Sequence, residues 1–483
     1  LVSVGWVNSA YLLTFAVLLL VTGRLGDRFG PRPAFVAGLV VFTLTSLACG
    51  LAPSIGFLIA ARALQGIGAA LMTPQTMSMI TRVFPAAKRG AAMGVWGATA
   101  GVATIAGPVL GGALVESWGW EWIFFVNIPI GIVALWLSVT RLPTLPTHTR
   151  SFDLVGVALS VIGMFLLVFG LQEGETYDWG TVWGPITVWG MVGGGLVVLI
   201  GFVLWQRHLG DDALMPLRLF HVRNFSLANI AGWSVTFAMT GLFFPFTIFL
   251  QTVLGLTPLH AALVGLPGSL LSGIVAPFAG RLSDRVPAKW IVSTGFAILV
   301  VVVAWLALVI DADAEVWTLV LPMAFFGIGT GFLFSPLASA ATAGLDHRTA
   351  GAGAGAFNTN RQIGGVIGSA AVVAMLTSRL STTIPASVTD AAAGLPQDEQ
   401  KQVLDSFASM DLSSFSTGGG KMTGIPDVIQ AAVHSGFATA VSQTLFLTVG
   451  ALALGLVASL AMKALRPEHH GAPVAKAEAA TAG

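Results

Sequence analysis

Gly23-Arg24-Leu25-Gly26-Asp27-Arg28 recurs with a single change as Gly280-Arg281-Leu282-Ser283-Asp284-Arg285, and each copy stands where a long apolar run ends. Two copies of one segment so far apart mark an internal duplication. The residues around them are apolar beyond what water tolerates: 55% hydrophobic, 9% charged and 58 glycines in 483 residues, with a mean hydropathy of +0.85. The solvent of such a chain is lipid. In hydrocarbon every backbone polar group must be satisfied within its own segment, so charge-free runs of about 20 residues read as spanning helices. A net charge of +1 leaves no broad basic surface for nucleic acid, and the single cysteine, Cys49, excludes a disulfide framework.

Spans are expected near Val4–Val21, Ala34–Leu51, Ile55–Ile80, Gly90–Leu114, Trp122–Val139, Leu154–Leu171, Ile186–Trp205, Leu227–Gln251, Ala261–Gly280, Ile291–Ile310, Trp317–Ala341, Gly351–Leu376 and His434–Met462, thirteen in all. Lys and Arg concentrate on alternate sides of these runs, and the rich side reads as cytoplasmic. The exceptions are Arg379, Lys401 and Lys421 in one long external segment, and Arg62 and Arg361 inside spans. This ordering places the C-terminus in the cytoplasm and residue 1 outside. Because position 1 is Leu, the expectation is a further helix upstream, bearing the Asp or Glu that the interior otherwise lacks. All acidic residues of the chain fall in loops, tails or span ends, whereas intramembrane charges are costly and usually paired.

Between the two copies of the repeat lie eight helix steps, so the spans from Leu154 to Trp205 read as a pair inserted between six-helix halves. With this organisation and these motifs the chain resembles the major facilitator superfamily, in particular its fourteen-span drug:proton antiporters (EmrB/QacA-like). The superfamily's loop signature is matched at Gly23, Asp27, Arg28, Gly30 and Arg32, with Pro31 where a basic residue is usual, and the second copy supplies Gly280, Asp284 and Arg285. Glycines there permit a tight turn and close helix approach, and Asp27 can face a helix N-terminus. The resemblance implies a gating latch that stabilises one access state; plain topology anchoring is the alternative.

In the third span, Arg62 with Gln65, Gly66, Ala69, Thr73 and Thr76 falls on one helix face, and the segment resembles the family's embedded-arginine signature. The resemblance implies that Arg62 and Gln65 serve proton coupling; otherwise Arg62 snorkels to the external interface. Gly94, Gly107, Pro108, Gly111 and Gly112 resemble the antiporter signature, with Ala103 replacing a customary Gly, and imply a hinge. Asn358, Arg361 and Gln362 share a face at midplane depth, where they line a cavity or join helices. Tyr11, Thr73, Asn229, Trp233 and Phe237 are further candidates for a substrate cavity. Phe243, Phe244, Phe246 and Met239 either join them or pack against lipid. No His/Glu cluster has metal spacing, and no catalytic cluster marks an enzyme.

The resulting expectation is an all-α polytopic protein with a major facilitator fold. It has an N-terminal bundle (1–140), inserted helices (141–206), a C-terminal bundle (207–462) with a long external loop (377–433), and a cytoplasmic tail (463–483). A short external amphipathic helix is expected at Pro396–Met410. The expected function is proton-coupled efflux of hydrophobic or cationic small molecules across a bacterial cytoplasmic membrane. It would use the proton gradient and no cofactor, with the substrate, protons and the bilayer as partners and an accessory envelope protein left open. An exporter of a lipid or metabolite is the alternative, and a non-transporting receptor or scaffold a more distant one.

Overall fold

The computed structural model describes residues 2–145, 153–174, 176–177, 179–210, 213–342, 350–393 and 427–464, with the single positions 345, 396 and 400. The chain is helical almost throughout: α1 (Val2–Phe29), α2 (Pro31–Gly50), α3 (Ile55–Val83), α4 (Ala86–Trp118), α5 (Trp122–Phe125), α6 (Asn127–Arg141), α7 (Leu154–Gln172) and α8 (Val188–Leu209), then α9 (Arg223–Thr252), α10 (Pro258–Ser283), α11 (Ala288–Val309), α12 (Val316–Gly331), α13 (Phe334–Thr342), α14 (Ala350–Ala392) and α15 (Asp427–Ala461). A two-stranded hairpin, β1 (Thr181–Trp183) and β2 (Ile186–Thr187), joins α7 to α8. Among the described residues, twelve stretches are long and apolar enough to cross a membrane. Each expected span falls mainly on helix, α4 included, though Ile186 and Thr187 belong to β2.

Local chemistry sets the ends. Gly30, at φ 95, makes the corner between α1 and α2, a conformation that costs a residue without Cβ nothing. Ser54, Asp153, Thr187 and Thr257 cap α3, α7, α8 and α10 by accepting a backbone N–H. Two expected spans are broken, and proline accounts for both. Pro129 and Pro336 lack an N–H and crowd the carbonyl four residues back, and the chain parts at Val126 between α5 and α6 and at Phe332–Leu333 between α12 and α13.

The expected 377–433 loop is corrected at both ends. α14 runs on to Ala392 and α15 starts at Asp427, so about 65 Å of α14 exceeds the roughly 30 Å of hydrocarbon. The extension stays helical because it keeps a partner. Leu380, Ile384 and Val388 are buried with Ile429, Val433 and Phe437, and Thr383 Oγ1 donates to the Gly436 carbonyl at 2.7 Å. Apart from 396 and 400, the amphipathic helix expected at Pro396–Met410 lies outside the described residues.

α1, α2 and α3 pack together, α9 packs with α14 and α15, and α10 with α12. The most extensive contacts between the halves are α1 against α14 and α10 against α4, with α3 against α14 and α4 against α13 beside them. The inserted pair α7–α8 lies over the first of these seams. Met164, Val168 and Phe169 of α7 cluster with Leu13, Ala16 and Val17 of α1, and Ile363 and Val366 of α14 pack against the same cluster. Asp153 ties the pair's base, accepting hydrogen bonds from Gly156 N at 2.7 Å, Trp205 Nε1 at 2.9 Å and Gln206 Nε2 at 2.7 Å. Burial opposes ionisation of Asp153, but these bonds and one from the Leu214 backbone outweigh it and hold the carboxyl below its ordinary range.

Candidate functional site: two latches, an arginine cleft and a central seam

The duplicated segment builds the same device twice. Asp27, near the end of α1, accepts hydrogen bonds from the backbone N–H groups of Gly351 at 3.0 Å and Ala352 at 2.8 Å, at the start of α14. Asp284, just past α10, accepts from Gly90 at 2.8 Å and Ala91 at 3.0 Å, in the second turn of α4. Each carboxylate thus accepts backbone N–H groups near the N-terminus of a helix belonging to the other half, Asp27 at the first turn and Asp284 at the second. Glycines permit the approach: a Cβ on Gly23 would lie 2.7 Å from the Gly351 carbonyl oxygen, and one on Gly280 2.4 Å from that of Gly90. Both latches lie at the Lys/Arg-rich end. Asp27 is paired in addition with Arg82, the one ion pair among the described residues. The other motif residues stand apart: Arg32 donates to the Val139 carbonyl at 2.6 Å, while Arg28 and Arg285 are exposed.

At the opposite end, a cleft of about 930 Å³ opens among α1, α2, α3 and α5–α6, lined by Asn8, Tyr11, Phe42, Leu58, Arg62, Gln65, Phe124 and Asn127 among others. Arg62 donates through Nη1 to Gln65 Oε1 at 2.7 Å and through Nε to the Val7 carbonyl at 3.0 Å, and its Cζ lies 4.2 Å from the Tyr11 ring centroid. Gln65 Nε2 in turn donates to Ser46 Oγ at 2.9 Å, which also receives Asn127 Nδ2 at 3.1 Å. Arg62 is thereby held by neutral groups, and among the described residues it makes no ion pair. Arg62 and Gln65 join on one helix face as the sequence spacing predicts, and Tyr11, a substrate-cavity candidate from the sequence, lies against Arg62 in the same cleft. Ser46 and Asn127 were missed as members of this network, although a lone polar side chain in an apolar run was the available signal.

The expected antiporter hinge divides. Gly94 is a close-approach glycine, its Cβ position 3.1 Å from the Ala276 carbonyl oxygen and 3.2 Å from the Gly280 Cα. At Gly107, Gly111 and Gly112 an added Cβ would meet nothing within 4 Å. Close packing of α4 on α10 is therefore found in its latch-side half, and the other three glycines serve no contact here. The side chain of Pro108 lies outside the described residues.

The expected substrate cavity also divides, because α9 and α14 close on one another. Gly364 lies against Trp233, and a Cβ on Gly368 would meet Phe237 Cα at 2.8 Å, so those aromatics are helix contacts. Asn229 Nδ2 donates to the Phe225 carbonyl, and the Asn229 carbonyl receives Asn360 Nδ2 at 2.6 Å. The Thr73 and Thr76 hydroxyls donate to carbonyls of their own helix. Of the further aromatic candidates, Met239 and Phe243 line a void of only about 30 Å³; Phe246 is buried and Phe244 is 40% exposed. Asn358, Arg361 and Gln362 remain at the seam: Asn358 Nδ2 lies 3.9 Å from Met77 Sδ on α3, and Arg361 and Gln362, half-buried, follow one turn further along α14.

Residues 1–369 match the family model described as Major Facilitator Superfamily. The chain belongs to the major facilitator superfamily. Over 474 residues it is 43% identical to the uncharacterized MFS-type transporter Rv1250 of Mycobacterium tuberculosis, covering 98% of this chain and 76% of that protein. It is 29% identical to the tetracenomycin C resistance and export protein of Streptomyces glaucescens, over 100% of this chain and 89% of the other. In three dimensions it resembles the crystal structure of the human organic anion transporter MFSD10, with a TM-score of 0.57 at 14% identity over 93% of this chain and 83% of that one. That likeness concerns the fold. The chain is thus a multi-pass membrane transporter, with exporters of antibiotics among its relatives.

Proposed function

We propose that this transporter is a secondary active exporter that moves hydrophobic small molecules out of a bacterial cell by alternating access, at the expense of the proton gradient. The observation that carries the reading is the pair of duplicated latches. Two carboxylates, related by the repeat, join the halves through backbone N–H groups at one end only, so the contact is strong enough to hold and small enough to open. The lysine- and arginine-rich end faces the cytoplasm in this reading, with the C-terminus on that side and the cytoplasmic membrane as the site of action. The structure then corresponds to the state closed toward the cytoplasm. Arg62, a permanent charge in a cleft open toward the other end, takes the coupling role by shifting the affinity of that cleft for protons. The antibiotic-export relative supports efflux as the direction of transport.

The test is the full-length protein reconstituted in proteoliposomes with trapped pyranine as proton indicator. A hydrophobic dye should move against its gradient when a pH difference is imposed, with opposite proton flow. Asp27→Asn and Asp284→Asn together should abolish the coupling. Dye movement that persists unchanged after the pH difference is collapsed sinks the reading.

A further inference from the structure

Arg361 carries the strongest unexplained charge in the membrane interior. It lies 11 residues past the first residue of α14, about 16 Å along the helix axis, which is midplane depth. Its guanidinium stands over two phenyl rings, 5.4 Å from the Phe334 centroid and 5.8 Å from that of Phe357. Its five N–H donors find no protein acceptor among the described residues, and no carboxylate reaches it. Asn229 Oδ1 and Ser234 Oγ are also unpaired but are sealed from any space, whereas the Arg361 nitrogens are not among these sealed atoms. The guanidinium thus keeps part of its surface accessible at the seam between the halves. Its neighbours point the same way: Phe334 Cβ lies 3.6 Å from where a Cβ on Gly97 of α4 would stand, and Asn358, one turn away, touches α3.

A guanidinium at midplane depth without a protein acceptor is costly, and an oxyanion that takes two parallel N–H bonds satisfies it well. The flanking phenyl rings offer a stacking surface to an adjoining flat apolar group. We infer that Arg361 is the anchor for the acidic group of the transported molecule, so that the substrates are aromatic amphiphilic anions bearing a carboxylate or a comparable oxyanion. This rests on the exporter reading above and replaces the cationic part of the sequence-based expectation. Away from the span ends the described residues offer a cation no carboxylate, and the charges inside the spans, the part-buried Arg62 and Arg361, repel one.

The experiment uses the full-length protein in nanodiscs, with fluorescence polarisation of carboxyfluorescein as the anionic probe and rhodamine 6G as a cationic probe on a related ring system. Carboxyfluorescein should bind in preference to rhodamine 6G. Arg361→Gln should weaken it by about 10- to 100-fold, the effect of losing hydrogen bonds to a charged group. Arg361→Lys, which keeps the charge and loses the planar fork, should fall between. Rhodamine 6G binding should be unchanged or tighter in Arg361→Gln, which also reports that this variant is folded; should Arg361→Gln not fold, Arg361→Lys alone decides by the same comparison. Equal carboxyfluorescein binding by wild type and the variants, or preferential binding of rhodamine 6G by wild type, overturns the inference. Movement of either dye under a pH difference in proteoliposomes upholds the exporter reading whichever dye binds better. If neither moves, that reading falls, and the Arg361 dependence of carboxyfluorescein binding still decides the anion site.

Discussion

Replacing Gly280 by alanine should open the latched end of the transporter, and the size of the effect follows from distances at α4 and α10. The new Cβ would stand 2.4 Å from the Gly90 carbonyl oxygen and 2.6 Å from the Gly94 Cα. Non-bonded heavy atoms settle at about 3.5–4.0 Å, so the helices must part by about 1 Å. The bonds that Asp284 accepts from Gly90 N and Ala91 N are 2.8 and 3.0 Å long, and a retreat of about 1 Å carries them beyond hydrogen-bond length. Hydrogen bonds to charged groups contribute about 1.5–3 kcal/mol each, so losing the worth of even one shifts the closed–open balance by roughly 10- to 100-fold. A state already parted at this end is untouched, so the whole effect falls on the closed one. Spin labels at Arg141→Cys and Arg281→Cys, both exposed at this end, in a background where the buried Cys49 is Ala, would read the separation by double electron–electron resonance. Gly107→Ala is the internal control, since its Cβ meets nothing within 4 Å. An unchanged distance distribution in Gly280→Ala, or an equal shift in Gly107→Ala, refutes the reasoning.

Gln65→Leu should leave Arg62 Nη1 and Ser46 without their amide partner, costing about 1–3 kcal/mol and lowering pH-driven transport several-fold, with gel-filtration behaviour unchanged. Asp153 sits below its ordinary carboxylate range in the folded protein, so the stability it contributes is complete above the unfolded value of about 3.9 and is lost as pH falls through the lowered folded value. Thermal unfolding of wild type should therefore fall below about pH 4, and Asp153→Asn should remove that component of the decline. Gly436→Leu places a Cβ 2.7 Å from the Ile384 Cα and should part α14 and α15 at the end away from the latches. Faster amide exchange confined to residues near 380–392 and 429–437 would show it, whereas uniform exchange across the protein would point to global destabilisation instead.

The spans, the duplication and the latch carboxylates were legible in the sequence because each leaves a local mark: a charge-free run, a repeated hexapeptide, an acid beside glycines. Arg62 with Gln65 was legible for the same reason, since residues three apart share a helix face and here join directly. The broken helices at Val126 and at Phe332–Leu333 also had local causes, Pro129 and Pro336, yet whether a proline bends or parts a helix depends on neighbours that accept the freed carbonyl. The far ends of α14 and α15 read as loop in the sequence because 377–392 carries polar residues at its surface. Burial of Leu380, Ile384 and Val388 shows only once α15 is seen alongside.

What the sequence by itself determined was the solvent, where the apolar helices run and the pairs of residues on shared faces, because these follow from hydrophobicity and helical period alone. Which glycines carry close contact was decided only by tertiary structure: Gly94 and Gly280 lie against one another, while Gly107, Gly111 and Gly112, on the same helix as Gly94, meet nothing. The same holds for the charges. Asp27 and Arg82 are 55 residues apart and pair, and Arg361 faces two rings and an open seam. Electrostatic partnership is a matter of distance in space and of desolvation, and neither is written along a chain until its helices have packed.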